Sequence, residues 1–158
     1  MRRLVALSFV LAAVSAVPAA AQTHPNFTGS WVLDPAKSVG PMIPQAMELD
    51  VSHTDKSLSI TRHATGPRGP QTTTLVYQLD GTTSKNTVGG NGMTVDLNST
   101  TTWAGDTLVV KTTAPTMQGG MQQTERWNLE PGGKQLTLNG DISISGQSAT
   151  AKMVFTKK

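Results

Sequence analysis

The sequence predicts an all-β domain, an antiparallel up-and-down meander that closes into a barrel of about ten strands. Three observations carry this expectation. Polar and apolar residues alternate in segment after segment from Met47 to the end of the chain, which is the period of a strand with one dry face and one wet face. Short turn sequences separate the segments: Asp80-Gly81, Gly90-Asn91-Gly92, Gly105-Asp106, Pro131-Gly132-Gly133-Lys134 and Gly146-Gln147. Glycine and asparagine at such positions supply the backbone angles of tight hairpins. The chain also holds 23 threonines among its 158 residues, and a side chain stiff at χ1 suits a half-solvated strand.

Taken in order, the first stretch stands outside the fold. Met1-Arg2-Arg3 is basic, Leu4 to Val17 is apolar, and Ala19-Ala20-Ala21 places small residues at the −3 and −1 positions. This is the pattern of a secretory signal peptide cleaved after Ala21. The apolar run is short against the roughly 20 residues of a membrane span. The expected organisation is a signal peptide over 1–21 and a single barrel domain over 22–158. The chain has no cysteine, so no disulfide can form and no lipoprotein anchor can be attached. These features point to a periplasmic or secreted bacterial protein held by its core alone. Without Arg2 and Arg3, 11 basic residues face 10 acidic ones. That balance gives no support for nucleic-acid binding.

Ten strands are expected at 27–33, 46–53, 57–64, 71–79, 82–88, 93–103, 107–114, 121–129, 135–145 and 148–156. The Pro-rich segment from Asp34 to Gln45 reads as a loop. Register follows from the turns. A two-residue turn at Asp80-Gly81 sets Tyr77 opposite Ser84 and Leu75 opposite Asn86. A loop over Gly89 to Gly92 sets Lys85 opposite Asp96. A turn at Gly105-Asp106 sets Trp103 opposite Leu108. The Pro131 to Lys134 loop sets Trp127 opposite Leu138. A turn at Gly146-Gln147 sets Ile142 opposite Ala151 and Asp141 opposite Lys152. Each hairpin then carries its apolar residues on one face, and a one-residue slip would destroy the pattern. The apolar face points inward and the Thr/Lys/Asp face outward, the reverse of a membrane barrel.

Near the start of the expected mature chain stands Phe27-Thr28-Gly29-Ser30-Trp31-Val32-Leu33. This run resembles the Gly-x-Trp opening of the lipocalins and their calycin relatives. The resemblance implies that Gly29 lets the first strand bend and that Trp31 plugs the barrel floor. The continuation Asp34-Pro35-Ala36-Lys37-Ser38 resembles the start of small exported bacterial β proteins described as lipocalin-like. Ten strands without a C-terminal helix are closer to the fatty-acid-binding proteins. The chain departs from those in having no helical lid and no Arg-x-Tyr carboxylate clamp. The nearest run, Glu125-Arg126-Trp127, points Arg126 outward.

Little in the sequence suggests catalysis or a cofactor. There is no G-x-S-x-G, no HxH and no HExxH. The glycine-rich run at 89–92 joins two strands rather than opening a helix, so it is no phosphate cradle. His63 reads as a surface partner of Glu48, His53 sits near the rim beside Leu58, and His24 lies in a flexible start, so the three do not converge. No metal and no cofactor is expected, and the protein reads as a non-enzyme.

The informative set is the polar residues on the inner face, among them Arg62, Thr73, Asn86, Thr101, Gln123 and Glu125. Inward polar groups need partners, water or a ligand. The candidate ligand-binding residues are Arg62, Tyr77, Asn86, Thr101, Gln123 and Glu125. Arg62 is available to an anionic head group, or else pairs with Glu125. The expected function is binding of a small amphipathic or hydrophobic molecule inside the barrel. The alternative is a filled barrel acting as a structural or interaction module of the cell envelope. No nucleic-acid partner and no membrane-spanning segment after cleavage is expected.

Overall fold

Ten strands follow one another in the computed structural model, which describes residues 24–41, 43–66, 69–90, 93–115 and 120–158. The expected signal peptide at 1–21 lies outside them. The strands are β1 (Gly29–Leu33), β2 (Ala46–His53), β3 (Ser57–Gly66), β4 (Gly69–Gln78), β5 (Ser84–Gly90), β6 (Met93–Ala104), β7 (Thr107–Ala114), β8 (Met121–Leu129), β9 (Gln135–Ile144) and β10 (Gln147–Lys157). Among the described residues there is no helix. Every neighbouring pair is antiparallel. The order is β4-β3-β2-β1-β10-β9-β8-β7-β6-β5, so the first strand joins the last and the meander wraps into a barrel. Tilted strands wound this way remove most free edges.

Three expected registers hold: Trp103 lies opposite Leu108, Trp127 opposite Leu138, and Glu48 opposite His63. Arg62 lies opposite Thr73. Two others are displaced by two residues. The β5–β6 ladder runs to Gly90 opposite Met93, so Lys85 meets Asn98 while Thr87 meets Asp96. The β9–β10 ladder turns at Ser145-Gly146, where both φ angles are positive, at 52° and 81°, as a type I′ hairpin demands. Asp141 therefore lies opposite Thr150, not Lys152, and its carboxylate takes Arg126 of β8 instead. A two-residue slip leaves every side chain on its own face, which is why alternation alone misplaces these hairpins.

The third difference is at the seam. β4 and β5 do not form the expected ladder and are the two edges of the sheet. Side chains join them instead. The Asn86 amide accepts from Val76 N at 2.8 Å and donates to Val76 O at 3.0 Å. Ser84 Oγ accepts from Gln78 N at 2.7 Å, and Thr101 Oγ1 donates to Gln78 O. Asp80 causes the divergence. Its carboxylate captures the N–H and hydroxyl of Thr82, an Asx-type turn that holds the connection wider than a two-residue hairpin.

Packing divides the barrel into two halves. The floor end gathers the 53–57, 104–107 and 129–135 turns and the run 24–28. Here Phe27, Trp31, Leu49, Leu58, Trp127 and Phe155 are shut off from solvent. The mouth end gathers Gly66, Gly69, the 144–147 turn and residues 34–41 of the connection after β1. Inward-facing residues there stay partly open, and Ile144 is 39% exposed. The connection crosses β10 through a bridge between Val39 and Lys152. Gly40 (φ 147°) makes the crossing possible, since a Cβ there would stand 2.8 Å from Ala151 Cβ.

Candidate functional site

Between the packed floor and the open mouth lies a polar layer built on β3 and β8. Strand parity turns Arg62 inward from β3, and Gln123, Glu125 and Trp127 inward from β8. Across the barrel, Arg62 Nη2 donates to Glu125 Oε1 at 3.0 Å and to Oε2 at 2.8 Å. Gln123 Nε2 donates to Oε1 at 3.0 Å, and Trp127 Nε1 donates to Oε2 at 3.3 Å. Four hydrogen bonds from three donor groups thus use the carboxylate's full acceptor capacity. Burial works against the charge of Arg62, but Glu125, with Tyr77, more than offsets it and holds the guanidinium above its ordinary value. Arg62 Nε is buried and makes no hydrogen bond among the described residues. Burial pushes the Tyr77 phenol up, Glu125 adds to this and Arg62 opposes it. Tyr77 therefore stays neutral.

Above this layer a cavity of about 150 Å³ opens against β8, β9 and β10. Its apolar wall includes Leu138, Ile142 and Met153, its polar end is Gln123 and Glu125, and Pro41 of the crossing connection covers one side. Gly140, Ala149 and Ala151 leave the space empty because each is too small to fill it.

Of the sequence-derived candidates, Arg62, Gln123 and Glu125 meet in this layer, and Tyr77 lies within its electrostatic reach. Asn86 and Thr101 stand apart, their side chains spent on the seam. Two further inner hydroxyls pair with each other, Ser99 with Thr112 at 2.8 Å.

At the floor the structure corrects the reading of the histidines. His24 is not loose: it stacks on Trp103 with centroids 4.1 Å apart. His53 lies 6.2 Å from the same ring and 5.6 Å from Phe27. Both histidines and both aromatics sit at strand ends that share one rim, a signal available only once the strand order is known. His63 is separate and pairs with Asp50 at 3.5 Å rather than with Glu48, whose carboxylate takes Lys158. No group of three or more metal-binding side chains occurs among the described residues.

His53 has a structural task. Its Nδ1 accepts the Phe27 N–H at 3.2 Å, and its own N–H donates to Thr28 Oγ1 at 3.1 Å. Burial lowers its pKa, Asp55 opposes this and His24 adds to it. The unfolded chain, with an ordinary value of about 6.5, then binds the proton more readily. The contribution is full above about pH 6.5 and is lost as the pH falls toward the folded value. Urea midpoints should therefore be lower at pH 5 than at pH 7.5. His53→Gln, which does not titrate, should shrink that difference. An equal pH dependence in both proteins would remove His53 as the cause.

No family model matches the chain, and no curated protein matches its sequence. Solved structures do match its shape. Zebrafish ileal bile acid-binding protein, complexed with cholic acid, is 15% identical, with a TM-score of 0.56 over 84% of this chain and 98% of that one. A secretory abundant heat soluble protein from Ramazzottius varieornatus is 12% identical, with a TM-score of 0.56 over 87% and 98%. Secretory abundant heat soluble protein 4 from the same organism is 15% identical, with a TM-score of 0.55 over 87% and 99%. The chain has the lipocalin-like, calycin-type barrel fold. No helix among the described residues is long and apolar enough to cross a membrane.

Proposed function

We propose that this barrel is an exported binding protein that holds a small amphipathic or hydrophobic molecule in its mouth half. The observation that carries the reading is the unfilled cavity above the Arg62–Glu125 layer, apolar along its wall and polar at its base. A barrel serving only as a filled module has no reason to place Gly140, Ala149 and Ala151 together on its inner wall, since larger apolar residues there would add stability. The bile acid-binding neighbour, complexed with cholic acid, supports a ligand inside this fold. Glu125 is the one inward acid among the described residues, and four hydrogen bonds from three donor groups engage it. That leaves no free general base and favours binding over catalysis.

Size constrains the occupant. An apolar space on the order of 150 Å³ holds a molecule the size of benzene, so a longer ligand must extend into the open mouth or lift Pro41. Nile red should brighten when added to the purified protein. Ala149→Phe, which fills the space, should weaken that binding tenfold or more while the circular dichroism stays unchanged. No brightening, together with no bound mass in native mass spectrometry of protein from its own host, would leave the interaction-module reading instead.

Export belongs to the same proposal. The intact mass of protein recovered from the periplasm or medium should correspond to a chain starting at Gln22. A recovered product that retains Met1 would overturn it.

A further inference from the structure

The polar layer also bears on what kind of molecule the cavity accepts, given the reading of the mouth half as a binding space. We infer that the ligand's polar end is uncharged, a hydroxyl or a similar group that both donates and accepts a hydrogen bond.

The argument is one of charge and of free valences. Glu125 is the charged residue on the cavity wall, and Arg62 stands behind it, joined by two hydrogen bonds. The pair has no net charge. A carboxylate entering the cavity would meet the anion first and would find the guanidinium already engaged. It would lose its hydration with no compensating partner. An ammonium would fare no better, because the lone pairs of Glu125 are taken by Arg62, Gln123 and Trp127. What remains open is half of the Gln123 amide. One N–H is spent on Glu125. The carbonyl oxygen and the second N–H take no other hydrogen bond among the described residues, and Gln123 lines the cavity. A donor and an acceptor side by side match a hydroxyl group. The anionic head that the sequence suggests for Arg62 is thus replaced by a neutral one.

The test is displacement of Nile red at pH 8 by three compounds of one chain length: dodecanol, dodecanoate and dodecylammonium. Dodecanol should compete at least tenfold better than either ion. Gln123→Leu should weaken dodecanol about tenfold more than it weakens Nile red. Glu125→Gln should uncover the charge of Arg62 and improve dodecanoate by tenfold or more. Either ion matching dodecanol in the unaltered protein would overturn the inference, and this comparison stands even where Glu125→Gln does not fold. An unchanged order of preference in a folded Glu125→Gln protein would overturn it as well. Failure of Nile red and of all three compounds to bind would instead bring down the binding reading on which the inference rests.

Discussion

Trp31→Ala should cost roughly 3–5 kcal/mol of stability, as truncation of large buried aromatics does. For a domain of this size that corresponds to a fall in melting temperature of roughly 10–20 °C. Trp31 is fully buried and lies opposite Leu49 on β2 and Lys157 on β10. It thus sits where the first strand bridges the two ends of the meander. Its indole Nε1 donates to Phe27 O at 3.0 Å, so truncation also orphans a carbonyl in the segment that covers the floor. Lys157 Nζ stands 5.3 Å from the ring centroid and adds a cation–π contact. Trp31→Phe separates these parts: it keeps most of the packing and loses the hydrogen bond, so about 1–2 kcal/mol is expected. Asp141→Asn is the control. Its pair with Arg126 is half exposed, and the expected cost is under about 1 kcal/mol. Equal costs for Trp31→Ala and Asp141→Asn in denaturant titrations would mean that Trp31 does not anchor the floor.

The Gly29-Ser30-Trp31 run made this floor legible in advance, and alternation made most of the barrel legible. Trp127, Leu138 and Val110 face inward as their parity requires, and Lys85, Asp96 and Lys152 face water. Register was harder because its information is of a different kind. The face of a side chain is set by a period of two, so Asp141 keeps its outward face whether it meets Lys152 or Thr150. Only the turn decides between them, and Ser145 takes a positive φ that its identity does not advertise. The seam was illegible for a related reason. Asp80-Gly81 has the composition of a tight hairpin, but the Asp80 carboxylate binds Thr82, and the backbone of β4 then finds its partners in Asn86 and Ser84 side chains.

The candidate site was half legible. Arg62 and Glu125 both fall on the inner face by parity alone, but parity does not say whether two inward residues on β3 and β8 can reach each other. That depends on the diameter and shear of the closed barrel. The histidines at the floor posed the same difficulty. His24 and His53 are separated in sequence by β1 and most of β2, yet both stack with Trp103.

Arg62→Met should destabilise the protein by about 3–5 kcal/mol, the range for breaking one side of a buried ion pair. Met fills the space of the aliphatic stem, so the loss measures what becomes of Glu125. That carboxylate is 4% exposed and would keep only Gln123 and Trp127 as donors. A carboxylate desolvated without its cation is the source of the loss. Arg62→Met combined with Glu125→Gln should recover most of the loss, because no unpaired charge is then buried. The non-additivity of the two single changes measures the coupling between them. An apolar pair in place of the native one, Arg62→Met with Glu125→Leu, should be as stable as the parent or more so. That outcome would mean the layer is retained for the cavity above it and not for the fold. A single Arg62→Met change costing under about 1 kcal/mol would instead place the guanidinium in solvent at the rim. It would also remove the charge pairing from the account of the site.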